Sequence, residues 1–208
     1  MKQKLTPRWF IIKLAGILFA VYSVYNVFII VRDGEYIPTY GIAITAVVAG
    51  MFALLAAFAW TSEFKDIRFL NIRKAVFIVS LVVIFALKLR MINQVIAYLD
   101  FSKVKTIVYC GAYFMTLAAL LVLFFYYAIV VRNLPLFPKA SVILPLFALL
   151  LFLGSFVLEI VLFYKYGVGL EANPLRTMVI RPVFYMGFIS LSVYFLLPPK
   201  YAVASLPI

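Results

Sequence analysis

Apolar residues occur along the chain in six long segments, and the short stretches between them hold most of the polar and charged residues. Each segment is long enough for an α-helix to cross a bilayer, which takes about 20 residues. A helix is expected because a backbone in lipid must satisfy its hydrogen bonds internally. We therefore predict an all-α fold, a bundle of six transmembrane helices that forms a single domain over residues 1–208. The segments are 9–31, 41–61, 75–99, 105–131, 141–165 and 176–197.

The polar stretches differ in their content of Lys and Arg. Those on the side of the two termini hold about ten such residues, and those on the opposite side hold about five. Because short cytoplasmic loops are richer in Lys and Arg, both termini are expected in the cytoplasm. An even number of spans agrees with this orientation. We expect an integral, multi-pass protein whose partner is the lipid bilayer, in the plasma membrane of a prokaryote.

The third segment is interrupted by two cations. Its uncharged part, residues 75–87, has only about 13 residues, so the helix crosses a bilayer only if it continues past Lys88 and Arg90. Arg90 lies on one helical face with Asn93 and Gln94, whereas Lys88 points the other way. We therefore predict that Arg90 faces the protein interior and that Lys88 extends along lipid to the headgroups.

Three other segments carry polar residues at a similar predicted depth. Asn26 lies in the first segment, Glu159 in the fifth, and Arg181 in the sixth, where Tyr185 follows about one turn later. With a rise of about 1.5 Å per residue, they share the outer half of the bilayer with Arg90. Ionisable groups inside a membrane commonly mark functional sites. We predict an outward-facing polar pocket whose members are Asn26, Arg90, Asn93, Gln94, Glu159, Arg181 and Tyr185.

These charges allow three interpretations. Glu159 can form an ion pair with Arg90 or Arg181 that only holds helices together, or the long side chains can reach the membrane surface without forming a cluster. Alternatively, the excess of arginine attracts a small anionic solute, because a guanidinium group binds carboxylate or phosphate bidentately. Pro182, directly after Arg181, removes a backbone hydrogen bond, which indicates either an ordinary kink or the broken-helix geometry of solute sites.

The second segment carries small residues at helical spacing. In membranes, such surfaces let two helix backbones approach closely and drive their packing. This seam predicts either packing inside the monomer or a docking face for another membrane protein or a second copy of the chain. Its members are Ala46, Gly50, Ala53 and Ala57.

In length and number of spans, the chain resembles the small membrane-embedded substrate-binding components of energy-coupling-factor transporters, whose helices also dock through small residues. The resemblance extends over the whole chain as architecture and includes no motif. It implies a substrate-binding component of a transporter.

Composition and charge exclude several other classes. Hydrophobic residues make up 67% of the chain and charged residues 12%, which excludes a soluble domain. The net charge of +12 does not predict nucleic-acid binding, because the cations lie mostly between the apolar segments rather than in one patch. We expect no nucleic-acid partner.

The sequence contains few residues of the types that catalyse reactions or bind metal ions. The chain has no histidine and one cysteine, Cys110, so we expect no metal site and no cofactor. Its serines have no histidine base and no Gly-x-Ser-x-Gly turn, and we therefore expect no enzymatic activity. Our leading hypothesis is binding or transport of a small anionic solute. The alternative is a scaffold or accessory subunit of a larger membrane complex.

Overall fold

The computed structural model describes residues 6–34, 38–62, 68–96, 103–131, 139–166 and 176–197. Within these ranges all regular structure is helical, and the all-α prediction is confirmed. The π-helical segment Tyr126–Val130 continues α4, and the π-helical segment Arg176–Ile180 precedes α6. The α-helices are α1 (Pro7–Asp33), α2 (Thr39–Thr61), α3 (Arg68–Ile96), α4 (Val104–Phe125), α5 (Ala140–Tyr166) and α6 (Arg181–Leu196).

Five helical stretches in the described part of the chain are long and apolar enough to cross a membrane. These stretches are α1, α2, α4 with its π-helical continuation, α5, and α6 with the last residues of the segment before it. The helix α3, which carries Lys88 and Arg90, is not among them. The chain therefore has the helices of a multi-pass membrane protein.

Prolines mark several helix starts. Pro7 occupies the first turn of α1, and the Thr6 side chain before it accepts a hydrogen bond from the Trp9 amide at 3.4 Å. Pro38 immediately precedes α2, and Pro182 lies in the first turn of α6. Proline is tolerated at positions 7 and 38 because the first amides of a helix have no partner within it. Pro182 differs, since the π-helical segment directly precedes α6.

The six helices form a closed ring. Each helix packs against the helices before and after it in the chain, and α6 packs against α1. The ring leaves an interior that every helix can reach, so residues distant in sequence can meet there.

Aromatic side chains fill the middle of this ring. Phe19 of α1 lies 5.8 Å from Phe52 of α2 and 5.1 Å from Phe188 of α6, measured between ring centroids. Phe188 also stacks on Phe152 of α5 at 5.0 Å. These four rings are almost completely buried. Tilted and offset contacts of this kind add to the stabilisation that burial gives.

The α1–α2 contact uses small residues, but on a different face from the predicted seam. The Ser23 hydroxyl donates to the Ala49 carbonyl oxygen at 2.8 Å, and a Cβ added to Gly16 would lie 3.1 Å from the Cβ of Ala59. By contrast, the seam faces out of the bundle. Its four members, Ala46, Gly50, Ala53 and Ala57, are exposed. Of the two interpretations of the seam, packing inside the monomer does not hold for the described structure, because a neighbouring face of α2 makes that contact.

We predict that Gly187→Ala lowers the thermal stability of the protein in detergent. A Cβ at Gly187 would lie 2.7 Å from the Phe19 ring, which is buried between other rings and cannot move aside freely. Overpacking of this kind typically costs about 1–3 kcal/mol.

The matched control is Gly50→Ala, because nothing lies within 4 Å of the added Cβ. This variant should melt at the wild-type temperature or slightly above, since alanine is the better helix former. Equal melting temperatures for the two variants would contradict the packing described here.

Candidate functional site

A cavity of about 420 Å³ lies inside the ring, at the end of the bundle away from the beginning of α1. All six helices contribute to its wall. Its volume falls within the range of roughly 300–1,000 Å³ that small-molecule sites have. Nine of the lining residues are polar or carry a polar tip. They are Tyr22, Asn26, Thr45, Lys88, Tyr109, Tyr113, Glu159, Arg181 and Tyr185.

An ion pair between α5 and α6 forms one part of this wall. Arg181 Nη1 donates to Glu159 Oε2 at 2.7 Å. The Glu159 side chain is 11% exposed and that of Arg181 is 33% exposed, so the carboxylate is the more shielded partner. Charge-assisted contacts at this distance are the strong class of hydrogen bond. The predicted pairing of Glu159 with Arg181 is therefore present.

A buried hydroxyl network supports the carboxylate from behind. The Tyr185 hydroxyl donates to Glu159 Oε1 at 3.4 Å and lies 3.0 Å from Ser155 Oγ. Ser155 in turn donates to the Ala112 carbonyl oxygen at 2.7 Å and lies 2.7 Å from Thr116 Oγ1. These contacts tie α4, α5 and α6 together and fix the position of the carboxylate. Sequence reasoning missed Thr116, whose burial only the structure reveals.

The second cation of the cavity is Lys88, contrary to the sequence prediction. Its Nζ lies 5.1 Å from the ring centroid of Tyr113 and 4.8 Å from that of Phe184. Arg90 is exposed on the outer surface of α3. The predicted orientations of Lys88 and Arg90 were therefore reversed.

The physical reason lies in the buried face of α3. Leu81, Ile84 and Ile92 are buried and share the side of the helix on which Lys88 lies, since residues three and four apart are neighbours on one face. The sequence prediction treats a polar stripe as the sign of the interior, whereas the interior side of α3 is apolar. Aromatic ring faces stabilise an ammonium group electrostatically, so an apolar face can hold this lysine.

The other predicted members divide into two groups. Asn26, Glu159, Arg181 and Tyr185 all line the cavity, as predicted. The Asn26 amide donates to the Tyr22 carbonyl oxygen at 2.7 Å. The backbones of Asn93 and Gln94 belong to α3, but their side chains lie outside the described part of the structure.

The ion pair also borders a second space. A groove of about 350 Å³ between α5 and α6 is lined by Glu159, Arg181 and Tyr185 together with apolar residues such as Ile160 and Met178. Ile160 and Met178 are exposed on the outer surface of the bundle. The ion pair and Tyr185 therefore form the wall between the interior cavity and the surface that would face lipid.

The backbone beside Arg181 is irregular. The π-helical segment Arg176–Ile180 ends directly before it, and Pro182 lies in the following first turn of α6. Single π-turns of this kind occur frequently at functional sites. The predicted irregularity is thus a change of helix type on the N-terminal side of Pro182, and it brings Ile180 and Arg181 into the cavity wall.

The charges of the cavity do not cancel. Glu159 is paired with Arg181, whereas no carboxylate in the described ranges lies within ion-pair distance of Lys88. In those ranges there is also no cluster of residues that could hold a metal ion. The described wall therefore holds two cations and one anion, with the amine of Lys88 free of an acidic partner.

Comparison of the chain with protein-family models, curated proteins and solved structures gave no match.

We predict that Glu159 and Arg181 are energetically coupled. Glu159→Gln and Arg181→Met should each lower the melting temperature in detergent, because each leaves the other group unpaired in a shielded position. The double variant should be more stable than the sum of the single effects, by about 0.5–3 kcal/mol in a double-mutant cycle.

The cycle needs a reference pair that is not in contact. Glu159→Gln combined with Arg90→Met serves this purpose, because Arg90 is exposed on α3. Additive effects in both cycles would show that the ion pair contributes nothing specific to folding.

Proposed function

We propose that the chain is a six-span membrane protein with cytoplasmic termini that binds or transports a small anionic solute in the cavity beside Lys88. The single observation that carries the proposal is the lysine itself. It lies in a cavity inside the helix ring, against two aromatic faces and without a carboxylate partner among the described residues.

Treating α3 as the sixth span rests on its length and on the environment of its charge. The helix has 29 residues, which corresponds to about 43 Å at about 1.5 Å per residue, against a hydrocarbon core of about 30 Å. A charged group in a span is tolerated when it faces the bundle interior or a water-filled cavity. Lys88 satisfies this condition.

The outward direction of the cavity follows from the charge distribution along the chain. Its lining residues lie late in α1 and early in α2, away from the end where α1 begins and α6 finishes. If the end richer in Lys and Arg is cytoplasmic, the cavity opens to the outside. An uptake role requires a site accessible from that side.

The chemistry of the wall favours an anion of modest size. The Lys88 amine supplies a charge, and the surrounding tyrosine hydroxyls and the Asn26 amide supply hydrogen-bond donors. Arg181 is already paired with Glu159. The carboxylate offsets the charge of this arginine, so the pair shapes the site and limits its net positive charge. A monovalent carboxylate or a phosphate fits this balance. We propose binding or transport rather than catalysis, because the described polar side chains of the wall include neither a nucleophile beside a base nor a pair of carboxylates.

We predict that Lys88→Met abolishes anion binding, whereas Arg90→Met retains it. Both substitutions remove one positive charge from α3, but only Lys88 lies in the cavity. The measurement is the melting temperature of the purified protein in detergent with acetate, succinate or inorganic phosphate at constant ionic strength. A bound anion raises it through mass action, and loss of Lys88 should weaken the apparent affinity by about tenfold or more.

Native mass spectrometry of the same preparations detects an anion that copurifies with the protein. Uptake of the stabilising anion into proteoliposomes then separates transport from binding alone. The proposal is wrong if neither assay finds an anion on the wild-type protein, or if the Lys88 and Arg90 variants respond alike. Melting temperatures without added anion show whether either variant has merely lost its fold.

An alternative role is a scaffold or accessory subunit that docks through α2. What supports it is the exposed seam, where a Cβ added to Gly50 meets no atom of the bundle within 4 Å. Small exposed residues allow another helix to approach the backbone closely. The occupant is then another membrane protein or a second copy of this chain.

We predict that Gly50→Leu disrupts this association, because a large side chain keeps the two backbones apart. The measurement is the mass of the natively purified particle by light scattering, with Val47→Leu as a control at an exposed position of α2 outside the seam. Monomeric wild-type protein with no bound partner would exclude the docking role and leave the anion proposal unaffected.

A further inference from the structure

A second cavity of about 420 Å³ lies at the opposite end of the bundle. The two cavities use different ends of the same helices. For example, α2 reaches the first cavity with Thr45 and Phe52, and it reaches the second with Phe58 and then Ser62 just after its end. The second cavity therefore lies near the beginning of α1, where Arg8 lines it.

Two arginines line this second cavity. Arg73 of α3 is 9% exposed and donates from Nη1 to the Thr61 carbonyl oxygen at the end of α2. Arg8 of α1 lies with its guanidinium carbon 4.5 Å from the centroid of the Tyr194 ring. Both cations are thus held by protein contacts rather than extended into solvent.

Arg8 has an unused donor. Its Nε is buried and has no hydrogen-bond partner among the described residues. A buried donor without a partner is destabilising, and more so when the group is charged. Stacking on Tyr194 orients the guanidinium plane but satisfies no N–H group, because a ring face stabilises only the charge. An acceptor oxygen in the cavity would remove this cost.

The remaining polar groups of the wall are hydroxyls. Ser62, Ser141 and the hydroxyls of three tyrosines surround the arginines, and no carboxylate is present among the described lining residues. The described wall therefore places hydroxyl groups beside the guanidinium groups of Arg8 and Arg73. Arginine forks with hydroxyl groups recognise phosphate, whose oxygens accept several hydrogen bonds at once.

We infer that the Arg8–Arg73 cavity binds a phosphate group at the end of the bundle where α1 begins and α6 ends. This cavity is distinct from the one beside Lys88, and the inference does not depend on the proposed solute site. The phosphate comes from a lipid headgroup or from a free phosphate compound. Basic pockets between helix ends on the cytoplasmic side bind anionic headgroups in the same way.

The test compares two probes on the full-length protein in a neutral detergent. Inorganic phosphate represents the free compound, and short-chain phosphatidic acid represents the lipid headgroup, with short-chain phosphatidylcholine as the comparison lipid. We expect phosphatidic acid or inorganic phosphate to raise the melting temperature of the wild-type protein. Arg8→Gln should raise the apparent dissociation constant of that probe by about tenfold or more, because it removes one of the two guanidinium groups.

Three further variants make the result specific. Arg8→Lys keeps the charge but loses the fork and should bind more weakly than the wild type. Lys139→Gln removes an exposed cation at the same end, outside the cavity wall, and should bind normally. Arg90→Met removes an exposed cation of α3 that belongs to neither cavity wall, and it should also bind normally.

Each outcome supports or overturns the proposed phosphate site. Stabilisation by phosphatidic acid alone, lost in Arg8→Gln, supports a headgroup site, and stabilisation by inorganic phosphate with the same loss supports a site for free phosphate. If neither probe stabilises the wild type, or if Arg8→Gln and Lys139→Gln respond like the wild type, the inference is overturned. Because Arg8 Nε has no described hydrogen-bond partner, Arg8→Gln leaves fewer contacts unsatisfied than a change at Arg73 would.

Discussion

A charged group inside a bundle that crosses lipid must find its partner within the protein, and this constraint organises the structure. Glu159 and Arg181 meet it with an ion pair across α5 and α6. Lys88 meets it differently, with the faces of Tyr113 and Phe184. An ion pair consumes both of its charges, whereas ring faces stabilise a cation and leave its N–H groups able to bind something else. The two solutions thus give the described cavity wall one ion pair and one amine without a carboxylate partner among the described residues.

The aromatic interior separates the two cavities. Phe52 belongs to the wall of the first, and Phe58, about two turns further along α2, belongs to the wall of the second. Phe77 stacks on Phe58 at 4.5 Å and contacts Tyr127 at 4.4 Å, so rings from α2, α3 and the π-helical end of α4 fill the space between them. A solute could pass only if these rings moved. Rings packed this closely move together with their helices, because protein interiors are dense. The structure therefore corresponds to a state in which packed rings separate the two cavities.

Much of the fold could be predicted from sequence, because length and hydropathy suffice to locate helices in a membrane protein. The predicted membership of Asn26, Glu159, Arg181 and Tyr185 in one cavity also followed from depth and spacing. The assignment failed for Lys88, because a helical wheel ranks faces by polarity and cannot know that aromatic rings of α4 and α6 will surround one position of α3. For the same reason the face of α2 that packs against α1 was not predictable, since both faces of α2 carry alanine. The direction in which a helix face points depends on the partner helix, and this partner cannot be identified from a single sequence.

The two ends of the bundle present their cations in different chemical forms, and this difference bears on the proposed roles. Lysine is a compact charge on a flexible stem, suited to an anion that has to be captured and released. The guanidinium groups of Arg8 and Arg73 are planar and held by a tyrosine ring and a helix-end carbonyl oxygen, which suits a phosphate that stays in a fixed orientation. A headgroup bound there would contact α1, α3 and α6 together, and these helices also contribute Asn26, Lys88 and Arg181 to the first cavity. The same three helices therefore connect the two cavities.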